Sequence, residues 1–225
     1  MFDLAPDLGR TAAAPLWLLC LGAHADDIEI GAGGTVLRLL AERPHTRVTW
    51  AVATGGAEPA DRNPADREAE ARAAAAAILG GAAEATVEVG AFRDGFLPTQ
   101  AAALKEWAQE RLEGARPALV LTHRADDAHQ DHRAVADLAW QTFRGATIAA
   151  FEVPKWDGDL APPNAYVALD ADVLERKVRV LREHFPSQRA KPWFDNETFR
   201  GLARLRGVEA GVRYAEAFHV RKLVW

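Results

Sequence analysis

The sequence predicts an α/β fold of the Rossmann-like kind, a mostly parallel sheet with helices on both faces, in one domain over residues 1–225. Three observations lead there. Short runs rich in Val, Leu and Ile alternate with longer stretches of helical composition, the pattern of βαβ units around a sheet buried on both sides. With 225 residues, 49% hydrophobic and 26% charged, the chain has an ordinary globular composition and is long enough to bury one sizeable core. The two densest polar clusters each follow directly on an apolar run, which is where an open α/β sheet places its ligands.

Taken in order, the first strand is expected over 17–23, the end of an apolar run from Ala12 to Ala23 that is too short for a bilayer and reads as a buried strand, not a signal peptide. A helix over 34–42 and a strand over 47–53 follow. The Ala-rich stretch makes 65–79 helical, because alanine is the best helix former and its Arg and Glu neighbours can pair across turns. Strands at 86–89, 118–122 and 147–153 alternate with helices at 101–113 and 130–143. The Pro- and Gly-rich segment 154–164 is long for a loop in a compact domain and is expected to rim a site. A strand at 166–169, a helix at 172–185 with Asp170 or Asp172 as N-cap and Pro186 as stop, and a closing strand at 214–220 complete the chain.

Bulk chemistry excludes several functions. The net charge is −5 and no basic cluster alternates with aromatics, so nucleic acid is not an expected partner. An integral membrane segment is not expected either, and a cytoplasmic location fits. Cys20 is the only cysteine, which rules out an intramolecular disulfide or a multi-thiolate metal site, so a metal here must use imidazole and carboxylate.

The first polar cluster is His24-Ala25-Asp26-Asp27-Ile28-Glu29. Singly, each residue has a plain use, as a cap or a loop histidine. Together they pose a problem, since adjacent carboxylates in a concave site repel unless a cation or a proton intervenes. A divalent metal removes it. His24 and Asp27, three apart in a turn, can both face one ion, while Asp26 stays off it and can accept a proton from a water held by the metal. The glycines of Gly31-Ala32-Gly33-Gly34 let the backbone approach closely.

The second cluster runs from Thr122 to His132 and includes His123, Asp126, Asp127, His129 and Asp131. If a helix begins near His129, then His129 and His132 share a face at i and i+3 with Asp131 turned aside, so that one imidazole can bind metal while the other points into the same cavity. Asp126 or Asp127 would serve as N-cap. Four of the seven histidines fall in these two clusters; His45, His184 and His219 are expected to be structural.

These residues resemble the LmbE-like, or PIG-L, zinc-dependent N-deacetylases. The motif Ala-His-Pro-Asp-Asp with a Gly-rich turn is matched by Ala23-His24-Ala25-Asp26-Asp27 and Gly31-Ala32-Gly33-Gly34-Thr35, and His-x-Asp-His by His129-Gln130-Asp131-His132. Fainter echoes are Thr54-Gly55-Gly56, Arg67-Glu68 and the segment from Gly211 to Phe218. Ala25 stands where the family has proline, a change that removes no chemical group. The resemblance implies one zinc per chain on His24, Asp27 and His132, with water completing the site. It implies Asp26 as general base, a cationic His129 as oxyanion stabiliser and candidate proton donor to the leaving amine, oriented by Asp131, and Arg67 against the polar part of the substrate. The implied substrate is a small N-acylated amino-sugar-like molecule such as an N-acetylglucosamine derivative. Homo-oligomers are common among such enzymes.

Three other readings share some of these residues. Two histidines and a carboxylate also form the facial triad of non-haem Fe(II) oxygenases, although Asp26 and His129 are then superfluous. Gly31-x-Gly33 after a strand hints at a dinucleotide fingerprint, but Val36 occupies the third glycine position. A catalytically silent metal-binding protein would need the ligands alone. Within the family reading, loop 154–164 with Trp156 and the segment 193–199 are expected to shape substrate choice.

Overall fold

The computed structural model describes residues 16–55, 64–112 and 116–223. The beginning of the expected 12–23 run, Gly56, and the expected helix end at Glu113 lie outside the described residues. Seven strands form one sheet: β1 (Trp17–Gly22), β2 (Arg47–Val52), β3 (Glu84–Val89), β4 (Leu119–His123), β5 (Thr147–Phe151), β6 (Ala165–Leu169) and β7 (Tyr214–Val220). Among the described residues six α-helices connect them: α1 (Asp27–Glu42), α2 (Pro64–Leu79), α3 (Ala101–Arg111), α4 (Gln130–Thr142), α5 (Ala171–His184) and α6 (Asn196–Ala210).

The sheet order is β3-β2-β1-β4-β5-β7-β6. The first five strands run parallel, and β7 pairs antiparallel with both β5 and β6. Alternation along β1 divides the core: Leu18 and Cys20 face the layer of α1, α2, α5 and α6, while Leu19 and Leu21 face α3 and α4. Helices thus cover both faces, as expected. The chain builds outward from β1 to β2 and β3, then returns to lay β4 on the other side of β1. The crevice at the carboxyl ends of β1 and β4 is therefore the switch point where such sheets bind ligands.

The structure corrects several expectations. Helix α1 starts at Asp27 rather than 34, so the Gly-rich stretch is helical and carries no phosphate loop. Glycine disfavours helix by about 1 kcal/mol, yet here close packing overrides propensity. A Cβ on Gly31 would overlap the Phe151 ring, and one on Gly34 would crowd Leu169 and Glu216. Helix α6 is not among the expected elements, and its first turn takes in the end of the 193–199 segment expected to shape substrate choice; the Asp195 side chain accepts a hydrogen bond from the Thr198 N–H at 2.6 Å, and Gly211 closes the helix at φ 71°. Asp170 is the N-cap residue of α5 but makes no side-chain cap bond. Among the described residues no helix is long and apolar enough to cross a membrane.

Candidate metal centre

Strand β1 ends at Gly22, and the chain turns through Ala23–Asp26 into α1, placing His24, Asp26 and Asp27 above the carboxyl edge. The turn closes on itself: the His24 N–H donates to Asp27 Oδ2 at 2.7 Å, and the Ile30 N–H to the Asp26 carbonyl at 2.9 Å. From β4 the second cluster arrives at the same place. His24 Nδ1 lies 3.1 Å from Asp27 Oδ2 and 3.2 Å from His132 Nε2, and His132 Nε2 lies 3.4 Å from Asp27 Oδ1. Residues more than 100 positions apart thus bring two imidazole nitrogens together against the two oxygens of one carboxylate.

Those separations fit a single zinc. Metal–donor lengths of about 2.0–2.2 Å in a tetrahedral site put donors roughly 3.3–3.5 Å apart. The surroundings fit as well. The far nitrogen of His24, Nε2, lies 3.0 Å from Asp94 Oδ1 and 3.3 Å from Asp131 Oδ2. That of His132, Nδ1, lies 3.0 Å from Asp127 Oδ2. The carboxylates behind His24 draw its proton to the outer nitrogen and leave the inner lone pair for a cation, the usual supporting shell of a metal-ligating histidine, whereas Asp127 stands as an ion-pair partner of His132 without a hydrogen bond to its ring.

Charge in the cluster is strongly coupled. Burial favours neutral His24, but Asp27, Asp131 and Asp94 outweigh it and hold its pKa well above the usual imidazole range; burial and then Asp27 and Asp127 act likewise on His132. Burial would raise Asp27, yet His132, His123 and His24 hold it well below the carboxylate range. Asp26 goes the other way, raised by burial against the pull of Arg67. The two neighbouring aspartates are thereby pushed apart in acidity, which suits one as ligand and the other as proton acceptor.

The remaining expected site residues are at hand, with two changes of role. His129 is the N-cap residue of α4, a position expected for Asp126 or Asp127, and its ring centroid lies 4.8 Å from that of His24 and 4.7 Å from that of His132. Its Nδ1 accepts from the Asp131 N–H at 3.2 Å, so a proton belongs on Nε2. Burial and then His24 and His132 lower its pKa, which favours the neutral ring with its proton on Nε2. The Asp131 carboxylate does not orient the His129 ring: it accepts from Gly95 N–H at 2.6 Å and Leu97 N–H at 3.0 Å and faces His24 instead. Arg67 on α2 is buried beside the base, its Nη2 3.6 Å from Asp26 Oδ1 and its Nη1 bonded to Glu70 and Ser187.

Three residues escaped the sequence reading. Asp94 sits in the loop after β3, and its only sequence signal is the adjacent Gly95, whose φ of 78° marks a turn. Asp127, read as a cap, backs His132. His123, fully buried at the end of β4, accepts the Ala23 N–H at 2.9 Å through Nε2, stacks on His132 at 3.9 Å, and has its pKa pushed down to about 4 by burial and by His132. It fastens the β1 turn to β4.

Fold and site together define a single α/β domain with a buried His/Asp cluster that could hold a metal ion at the switch point of its sheet. The chain belongs to the PIG-L family: the model described as GlcNAc-PI de-N-acetylase matches residues 19–143, more than half of the 225. No match is found among curated proteins. Among solved structures, the conserved protein TT1542 from Thermus thermophilus is 25% identical at a TM-score of 0.72, with 92% of this chain and 95% of that one covered. The N,N'-diacetylchitobiose deacetylase from Pyrococcus horikoshii is 23% identical at a TM-score of 0.68, covering 95% and 88%. GalB, the 4-carboxy-2-hydroxymuconate hydratase from Pseudomonas putida KT2440, is 19% identical at a TM-score of 0.71, covering 93% and 98%. One fold thus serves deacetylation and hydration, so activity must be argued from the site.

Proposed function

We propose that the chain is a zinc-dependent hydrolase that removes an acyl group, acetyl above all, from the nitrogen of a small amino-sugar-like molecule. The observation that carries this reading is the pair of imidazoles, His24 and His132, each backed by carboxylate and each turning its inner nitrogen to Asp27 within 3.1–3.4 Å. The family description, a de-N-acetylase, supports the choice of bond.

His24, Asp27 and His132 would hold the zinc, which would supply polarisation of the amide carbonyl and a water whose pKa is lowered to about 7. Asp26, adjacent to the ligand set but not part of it, takes the proton of the attacking water. It then returns that proton to the amine nitrogen as the C–N bond breaks. His129, neutral and protonated on Nε2, donates to the carbonyl oxygen as it gains charge, the electrostatic contribution that usually dominates acyl transfer. Arg67, buried beside Asp26, holds that carboxylate and is the group we assign to the polar part of the substrate.

The test is metal analysis of wild type beside His132→Ala, with acetate release measured on a panel of N-acetyl amino sugars. About one zinc per chain in wild type, its loss in the variant, and acetate from at least one sugar are expected. Iron in place of zinc together with oxygen uptake, or bound zinc with no hydrolysis of any amide, would overturn the proposal.

A further inference from the structure

Loop 154–164, between β5 and β6, is fastened to the 124–129 segment by one lysine. The Lys155 side chain is only 7% exposed, and its ammonium lies 3.0 Å from Asp127 Oδ1, 2.9 Å from Asp159 Oδ1 and 3.7 Å from Asp157 Oδ2. Asp127 Oδ1 also accepts the His129 N–H at 2.8 Å, while its Oδ2 faces His132 Nδ1 at 3.0 Å. One buried carboxylate therefore meets an ammonium, the backbone of the residue assigned to the oxyanion, and the outer nitrogen of a metal ligand. Asp159 makes a separate tie: its carboxylate accepts the Ala128 N–H and its carbonyl accepts Arg124 Nη1, both at 2.8 Å. Between these ties stands Trp156, 69% exposed.

We infer that Lys155 is a positioning residue for the metal centre, acting through Asp127 on His132, and that the same ammonium couples the rim loop to the metal ligands. The physical reason is that the His129 N–H holds Asp127 by Oδ1 alone, while Oδ2, 3.0 Å from His132 Nδ1, has no hydrogen bond to that ring to keep it in place. A cation on Oδ1 balances its charge and fixes Oδ2 toward His132. Asp159, by contrast, holds the loop without touching the ligand shell. Burial would depress the Lys155 amine, but Asp159 and Asp127 more than reverse this, so it stays charged across the working pH range.

The inference rests on the zinc reading, so its test measures zinc directly. Chelator competition is run on wild type, Lys155→Met, Asp159→Asn, Asp127→Asn and the Lys155→Met/Asp127→Asn pair, with Lys155→Gln as a second charge-removing variant. Lys155→Met is expected to weaken zinc on the order of 10-fold, the low end for a supporting-shell change. The effect should vanish in the Asp127→Asn background, because the lysine works through that carboxylate. Asp159→Asn should leave zinc affinity within about twofold. With cobalt in place of zinc, the visible spectrum should shift in Lys155→Met but not in Asp159→Asn, and Lys155→Arg should restore both readouts. Wild-type zinc affinity and cobalt spectrum in Lys155→Met and Lys155→Gln would overturn the inference and leave the zinc reading standing. Equal losses in Lys155→Met and Asp159→Asn would overturn it too, making Lys155 a loop anchor only. A wild-type chain that takes no zinc would overturn both.

Discussion

Oδ1 of Asp94 lies 3.0 Å from Nε2 of His24, behind the imidazole whose Nδ1 faces Asp27. A carboxylate in that place settles which nitrogen carries the proton. Asp94→Ala is expected to weaken zinc about 10- to 100-fold, measured by chelator competition, as is typical when the partner of a ligating histidine is removed. An affinity equal to wild type would mean that Asp131, 3.3 Å away, suffices alone.

Asp26 stands next to Asp27, the proposed ligand, without sharing its task. Asp26→Ala is expected to keep most of the zinc and lose about 10²- to 10⁴-fold in kcat, the usual worth of a positioned base. A fully active variant would remove Asp26 from the mechanism.

His129→Ala should lower kcat about 10²- to 10³-fold, the cost of one oxyanion donor. His129→Gln, which keeps an N–H donor but cannot be cationic, should recover part of that loss. Equal rates for the two variants would argue that His129 acts by charge, against the neutral donor that its surroundings favour.

Stability should depend on pH through Glu29, a buried residue of α1 whose Oε2 has no hydrogen-bond partner among the described residues. Burial first, then Asp26 and Asp27, push its pKa from 4.5 to about 8. An acid whose pKa is raised in the folded state favours folding fully below its unfolded value, and that contribution fades as pH rises from 4.5 toward about 8. Glu29→Gln should therefore melt near wild type at acidic pH and above it at pH 8. The gain there should reach about 1 kcal/mol or more, roughly 2–4 °C in Tm per kcal/mol at this size. A Tm difference that is constant with pH would contradict this.

Gly31→Ala places a methyl group into the Phe151 ring, which itself stacks edge-on against His123 at 4.8 Å. Overpacking of this sort costs about 1–3 kcal/mol. A lowered denaturation midpoint with an unchanged m-value is expected; unaltered stability would mean that α1 can withdraw from the sheet freely.

The sequence by itself determined the layered α/β class and named the residues of the candidate site, because both are written locally. Apolar runs alternating with helical stretches report burial on two faces, and His24 with Asp27, or His129 with His132, are close along the chain wherever it folds. Tertiary structure alone decided the rest. That Asp94 backs His24, that Asp131 faces His24 rather than His129, and that Lys155 reaches Asp127 depends on contacts between loops from different strands, which no local pattern encodes. The start of α1 at Asp27 and the antiparallel setting of β7 were hidden for the same reason. Glycine's poor helix propensity and a strand's unmarked direction are overruled only once Phe151 and β5 are in place, since packing free energy belongs to the assembled sheet and not to any one segment.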